Sequence, residues 1–416
     1  MTGSPGIRVV HVVISLAPGG LERMVVDLAN ARNRRQPGST LICCLDEAGE
    51  LARQVEGDAV ICMHANRARS PFDLLAVRKL RALLSEVRGQ RTPNIGLRSE
   101  ATGGRVERGT PNAEQRTRNQ ELLPTILHAH NMAAWQYGVL ATIGTGVKLV
   151  YTQHGANLHN LGFVNRMRSQ LLARFTDRIV AVSASTAQTM AEKQGISRDE
   201  IIVIPNGVPA GKGVSSVECR VLAPTTVAST FRVKLGIPLT AFVVGSVGRF
   251  SPEKNYPLLV RAFAAFRAAC PNGFLVLVGD GPCRGEIEAT LREYGVAGSC
   301  LLPGMQADVK PWLEAMDVFC LSSSTEGMSI SLLEAGAVGL PSVVTDVGAN
   351  SEIVSDHATG FVVGVGDHQA LANALVTMCR EPLLCARLGA EARRRVAERF
   401  SLDVALNTYE GIYAAA

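Results

Sequence analysis

The sequence predicts an α/β protein built from two doubly wound parallel-sheet halves with a cleft between them. Its 416 residues exceed one core, since single cores stop growing near ~250 residues. Apolar residues make up 47% of the chain, enough for each half to bury a core. Two series of short β-branched runs, each alternating with helical segments, lie on either side of a stretch without period.

In the first series, residues 8–16 (RVVHVVISL) are almost continuously apolar, the pattern of a strand buried on both faces of a parallel sheet. A Gly-Gly turn and a helical segment, 21–31, follow it. The alternation recurs at 40–45, 125–130, 148–153 and 178–183, with helical stretches such as 73–87 between. The second series has strands at 241–248, 274–279, 300–303, 318–322 and 342–345, with helices including 256–269 and 328–338. Residues 209–232, rich in Gly, Ser, Thr and Pro, read as the linker, and 367–416 as charged amphipathic helices. The boundaries are then 1–208, a linker at 209–235, a second domain at 236–395, and a closing helix, 396–416, that crosses back to the first domain.

One segment departs from this order. Residues 89–120 carry many Arg, Gly, Asn and Thr and few apolar side chains, too few to offset the entropy of ordering. They read as a disordered surface insertion.

A net charge of +5 favours anionic partners weakly and falls short of the balance of a nucleic-acid binder. The cysteines show no CxxC or Cys/His spacing that could hold zinc, and read as small buried hydrophobes in a reducing compartment. The first apolar run is too short to span a membrane and lacks a basic flank and cleavage site. A cytoplasmic chain is expected.

Three places can carry chemistry. Pro18-Gly19-Gly20-Leu21-Glu22 joins the first strand to the first helix. There glycine lets a ligand approach the backbone, and the helix N-terminus offers free N–H groups to phosphate. Gly248-Arg249-Phe250-Ser251-Pro252-Glu253-Lys254-Asn255 follows the first strand of the second half. Its Arg fork and Lys point charge together can neutralise a diphosphate, where open α/β sheets bind ligands. Glu326, Gly327 and Met328 follow the strand at 318–322, and Glu334 lies about two turns on, ~12 Å of rise along an otherwise apolar helix. A carboxylate aimed into the cleft can accept from both ribose hydroxyls, and N–H groups around Gly327 to Ser329 can hold phosphate or sugar oxygens.

With GGLE (19–22), QHG (153–155), PNGV (205–208), GRFSPEKN (248–255), VGDGP (278–282) and STEGMSISLLEAGAVGLP (324–341), which contains a Glu-x7-Glu spacing, the chain resembles the retaining glycosyltransferases of family four, of GT-B fold. The resemblance covers nearly the whole chain except 89–120 and parts of the linker. It implies two Rossmann-like domains and roles for individual residues. Gly19 and Gly20 would pack against a donor diphosphate bound by Arg249 and Lys254, and Glu334 would hold the ribose. Glu326, with the backbone of Gly327, Met328 and Ser329, would contact the transferred sugar, which His154 would reach from the first half. His128 and His130 end another strand and read as structural; Asp280 and Asp177 read as turn and strand-start residues. The donor implied is a UDP- or GDP-sugar. The acceptor implied is lipid-linked or a polysaccharide at the inner face of a membrane, which the protein would touch peripherally; nucleic acid is not a partner.

No Asp-x-Asp triplet occurs to carry a divalent ion to the diphosphate, so no metal or other cofactor is expected. The first half also offers no well-placed carboxylate as base or nucleophile at the anomeric carbon, which suits the family's retaining chemistry. Two rivals differ in class. A non-catalytic nucleotide-sugar binding protein would keep the fold alone. A nicotinamide-dependent oxidoreductase would need a G-x-G-x-x-G turn after the first strand, where Pro-Gly-Gly-Leu-Glu stands instead.

Overall fold

The computed structural model describes residues 6–57, 59–65, 73–89, 123–155, 162–209 and 226–416. The proposed insertion at 89–120 lies outside them apart from Gly89, and so does most of the proposed linker.

The first half runs β1 (Arg8–Val13), α1 (Gly20–Arg35), β2 (Thr40–Cys44), β3 (Val60–Cys62), α2 (Leu74–Gly89), β4 (Thr125–His130), α3 (Asn131–Thr142), β5 (Lys148–Gln153), α4 (Phe163–Ala173), β6 (Arg178–Ala181), α5 (Ala184–Gln194) and β7 (Ile201–Val203). Its strands form one parallel sheet in the order β3-β2-β1-β4-β5-β6-β7. Every residue of β1 is buried, as a strand covered on both faces requires.

The second half runs α6 (Thr226–Lys234), β8 (Phe242–Val247), α7 (Tyr256–Ala269), β9 (Gly273–Val278), α8 (Arg284–Glu293), β10 (Cys300–Gly304), α9 (Lys310–Glu314), β11 (Val318–Leu321), α10 (Ile330–Ala337), β12 (Ser342–Thr345), α11 (Asn350–Ile353), β13 (Gly360–Val363), α12 (His368–Arg380), α13 (Pro382–Arg399) and α14 (Leu402–Ala415). The second sheet is also parallel, in the order β10-β9-β8-β11-β12-β13. In each sheet the winding direction reverses once, between β1 and β4 and between β8 and β11. Those reversals open a crevice at the carboxyl ends of the strands, where ligands of this architecture bind.

Two details differ from the sequence-based expectation. The end of the proposed linker is helical: α6 is held by Arg232, whose Nη2 pairs with Asp317 Oδ1 at 2.8 Å and whose Nε donates to the Ala315 carbonyl at 2.8 Å. Phe231 also sets its ring edge on Trp312. Three strands had no counterpart in the sequence pattern, namely β3, β7 and β13. Each closes a sheet edge, is three or four residues long and is only partly buried, so its apolar pattern is weak.

After α13 the chain returns to the first half. Val208 donates to the Phe400 carbonyl at 3.0 Å and Leu402 donates to the Val208 carbonyl at 2.8 Å; Ser401 then caps α14. Along α14, Glu410 accepts from the buried Arg32 of α1 at 2.7 Å, and Tyr413 bonds to His128 of β4 at 2.7 Å. The last helix is therefore part of the first half's packing.

Candidate active site

The sequence-predicted residues converge on the two reversal points. Gly19 caps α1 just beyond β1, and a Cβ on Gly20 would lie 3.2 Å from Ile330 Cγ1 of α10 in the other half. A Cβ on Gly327 would run into the His154 carbonyl oxygen. At Gly327 only glycine allows the two halves to meet this closely, whereas at Gly20 the Ile330 side chain would have to give slightly. Asn206 fastens the same seam, its backbone N–H 3.1 Å from Met328 Sδ and its Nδ2 donating to the Met328 carbonyl at 3.4 Å. Arg23 of α1 reaches across to the Ala307 carbonyl at 2.9 Å. His154, Gly20, Gly327 and Met328, predicted from three separate stretches of sequence, thus line one seam.

On the second half's side, Lys254 and Glu326 form an ion pair at 2.5 Å, mostly buried. Ser323 Oγ donates to the same carboxylate oxygen at 2.6 Å. The loops that carry them are stitched together: Ser322 Oγ donates to the Lys254 and Asn255 carbonyls, both at 3.0 Å, and the Ser324 N–H to the Glu253 carbonyl at 2.8 Å. Arg249 is exposed, and although its carbonyl accepts from the Ser251 N–H at 3.0 Å, its guanidinium makes no ion pair or hydrogen bond among the described residues. It is a cation available to a ligand, whereas Lys254 is held in place by a carboxylate.

Glu334 stands half-buried on α10, and burial pushes its carboxyl up to about 7, against the pull of Arg23 and with a push from Asp27 and Asp308. Asp27 on α1 is itself raised to about 6 by burial, opposed by Arg23 and Arg34. Glu334 therefore faces charged groups of the first half, a setting that spacing along its own helix did not reveal. The two aspartates read as structural are so used: Asp177 accepts from the Leu149 N–H and pairs with Lys148, and Asp280 accepts from the Gly281 N–H.

His154 does not stand alone. Its Nε2 is 2.9 Å from His130 Nδ1, and His130 Nε2 is 2.9 Å from His11 Nδ1. His128 lies beside them and bonds to Tyr413 and to Thr152, each at 2.7 Å. The register explains the cluster. His128 and His130 are two apart on β4 and share a face, and His11 on β1 pairs with His128. Burial, the largest cause, lowers all four; His11 and His154 fall to about 3, and His128 and His130 well below their ordinary value. Asn206 opposes the shift at His154. Neutral rings carry one donor and one acceptor nitrogen each, so the row His11–His130–His154 must be protonated in a single sense along its length. The structure thus joins His130, read from sequence as structural, directly to His154.

Ring nitrogens of His11, His128 and His130 lie within 4.8 Å of one another, a spacing a metal could use. Both nitrogens of His128 and of His130 already have partners. Ligation would have to break those bonds, so the donor set fits a hydrogen-bonded row better than a metal centre.

Residues 227–395 match the family model for glycosyl transferases group 1, and residues 18–212 the model for Glycosyltransferase Family 4. The chain is 26% identical over 299 residues to the UDP-Gal:alpha-D-GlcNAc-diphosphoundecaprenol alpha-1,3-galactosyltransferase of Escherichia coli, covering 69% of this chain and 74% of that one. It is 31% identical over 236 residues to the lipopolysaccharide core biosynthesis glycosyltransferase LpsE of Rhizobium meliloti, covering 57% and 64%. Among solved structures, Anabaena HepE in complex with UDP superposes with a TM-score of 0.74 at 19% identity, covering 98% of this chain and 100% of that one, a likeness of fold.

Proposed function

Because the chain belongs to the GT-B glycosyltransferases of the family-four type, we propose that it moves a hexosyl group from a UDP- or GDP-sugar to a lipid-linked or polysaccharide acceptor, with retention at the anomeric carbon and without a metal ion. The observation that carries this reading is the pairing of an available cation, Arg249, with an anchored one, Lys254, at the reversal point of the second sheet. Fixed cations aimed at a leaving diphosphate stabilise charge as it develops, with no reorganisation at the moment of reaction.

The other roles follow from where each group stands. Gly20, at the N-terminus of α1, leaves room for phosphate oxygens to approach its N–H groups. Glu326 holds Lys254 in place, and turns toward the transferred sugar with the N–H groups of Gly327, Met328 and Ser329. Glu334 accepts from the ribose hydroxyls, and occupancy by ribose favours its ionised form. His154, neutral at pH 7, hydrogen-bonds a sugar hydroxyl and is too weak a base to deprotonate an acceptor. With no carboxylate assigned to the anomeric carbon from the first half, retention is attributed to departure of the phosphate and attack by the acceptor on one face. The E. coli relative's UDP-Gal donor and diphosphoundecaprenol-linked acceptor support the substrate classes.

The test is product formation from individual UDP- and GDP-sugars in EDTA, with polyprenyl-diphosphate and oligosaccharide acceptors. One donor class is expected to turn over, and the acceptor is expected to accelerate nucleotide release. Turnover abolished by EDTA and restored by magnesium would contradict the metal-free assignment; tight nucleotide-sugar binding without turnover would leave a binding protein of this fold.

A further inference from the structure

Helix α4 carries apolar side chains on two faces. Ser169 is buried and Leu172 and Ala173 pack against the core, while Phe163, Val164, Met167 and Leu171 point to solvent, the first two 76% and 77% exposed. At 100° per residue these four span about a third of the helix circumference, a continuous apolar stripe. Phe175, just beyond the helix, extends it and is also exposed. Exposed apolar residues scattered singly need no cause, but a stripe on one helix marks a surface that meets something apolar.

The charges on this helix identify the occupant. α4 contains no acidic residue, and Arg166, Arg168 and Arg174 border the stripe. Of the nearby acids, Asp177 pairs with Lys148, and Glu192 turns its carboxylate to Gln188 while its carbonyl accepts from Arg166 at 3.0 Å. We propose that α4 is a membrane-docking helix that lays Phe163, Val164, Met167 and Leu171 into the headgroup boundary of an anionic bilayer, its arginines on lipid phosphates. A second copy fits less well, because an isologous contact would set the same arginines against each other.

Position gives the docking a purpose. α4 begins at the carboxyl edge of the first sheet, nine residues after His154, so the stripe starts at the edge on which the cleft opens. Leu74 and Leu75 begin α2 at that same edge and are likewise exposed. A chain lying on α4 would present the cleft to an acceptor whose lipid stays in the bilayer. This rests on the lipid-linked acceptor proposed above.

The test is flotation of the full chain with phosphatidylcholine vesicles, with and without phosphatidylglycerol. The wild type is expected to float only with phosphatidylglycerol, and less as salt is raised. The variant Phe163→Ser/Val164→Ser/Met167→Ser/Leu171→Ser, and separately Arg174→Glu, should each lose about tenfold in vesicle partitioning. Both should keep the wild-type thermal midpoint, as exposed positions allow, and turnover of a water-soluble acceptor. Should the serine variant unfold, the charge variant decides. Equal flotation of wild type and the charge variant, or no flotation of the wild type, would overturn the proposal. So would a wild-type dimer that the serine variant converts to monomer, since the stripe would then be a self-interface. Failure of the wild type to turn over any sugar nucleotide would instead strike the proposed function.

Discussion

Replacing Lys254 with alanine is expected to lower kcat roughly 10²–10³-fold, the loss found when a fixed donor to developing charge is removed. The substitution also takes away the cation 2.5 Å from Glu326 and leaves that carboxylate with the Ser323 hydroxyl. An unpaired, mostly buried charge is costly, so the damage has two sources. Glu326→Gln should reproduce part of it by releasing Lys254 from its aim. The double variant separates the sources: two groups acting as one unit lose far less together than the sum of their single losses. Steady-state kinetics of the two single variants and the double variant measure this. Additive losses would mean that Lys254 and Glu326 act independently, and unchanged turnover in Lys254→Ala would remove Lys254 from the reaction.

The second large effect is on stability against acid. His11, His128, His130 and His154 have folded values below the ordinary 6.5 because they are buried. The unfolded chain therefore binds protons that the folded chain refuses, and stability is lost as pH falls below 6.5. Each such histidine contributes about 1.4 kcal/mol per pH unit in that window. Glu334 and Asp27 act in the opposite sense. Burial raises them to about 7 and about 6, so the folded chain holds their protons longer and their ionisation costs stability as pH rises from the ordinary carboxylate range. Between about pH 5 and 6 the four histidines outnumber Glu334, Asp27 and Glu22, whose carboxyl burial also raises, so the net effect of acid is loss of stability. Below about pH 4 the carboxyls are protonated in both states, and histidines with values near 3 still lower stability. Urea unfolding at stepped pH should show the midpoint dropping steeply below pH 6.5. A flat midpoint from pH 6.5 to 5 would mean that the row is already protonated in the folded protein.

Legibility in the sequence followed how local each signal was. β4, β5, β12 and α7 begin and end where their patterns do, because an element buried along most of its length leaves a long apolar signal. The edge strands β3, β7 and β13 are short and half-covered, and left almost no pattern. The glycines and charges of the three motif loops were readable, since turns and strand ends have their own residue preferences. What joins them was not. Lys254 and Glu326 are 72 positions apart, and their contact depends on which strands neighbour each other. His11 meets His130 across 119 positions; the His-x-His of β4, two residues on one face of a strand, was the available signal. α4 shows why periodicity alone misleads: apolar residues at helical spacing mark a face, and only the packing says whether that face points inward.

The most direct test of the two-sided cleft is calorimetric titration of UDP and of GDP, in EDTA, into the wild type, Arg249→Ala and Lys254→Ala. Diphosphate capture by these cations predicts saturable binding of one nucleotide to the wild type and affinity at least about tenfold weaker in each variant, the loss of one charge-assisted contact. Equal affinity in all three proteins, or binding that appears only with added magnesium, would contradict it.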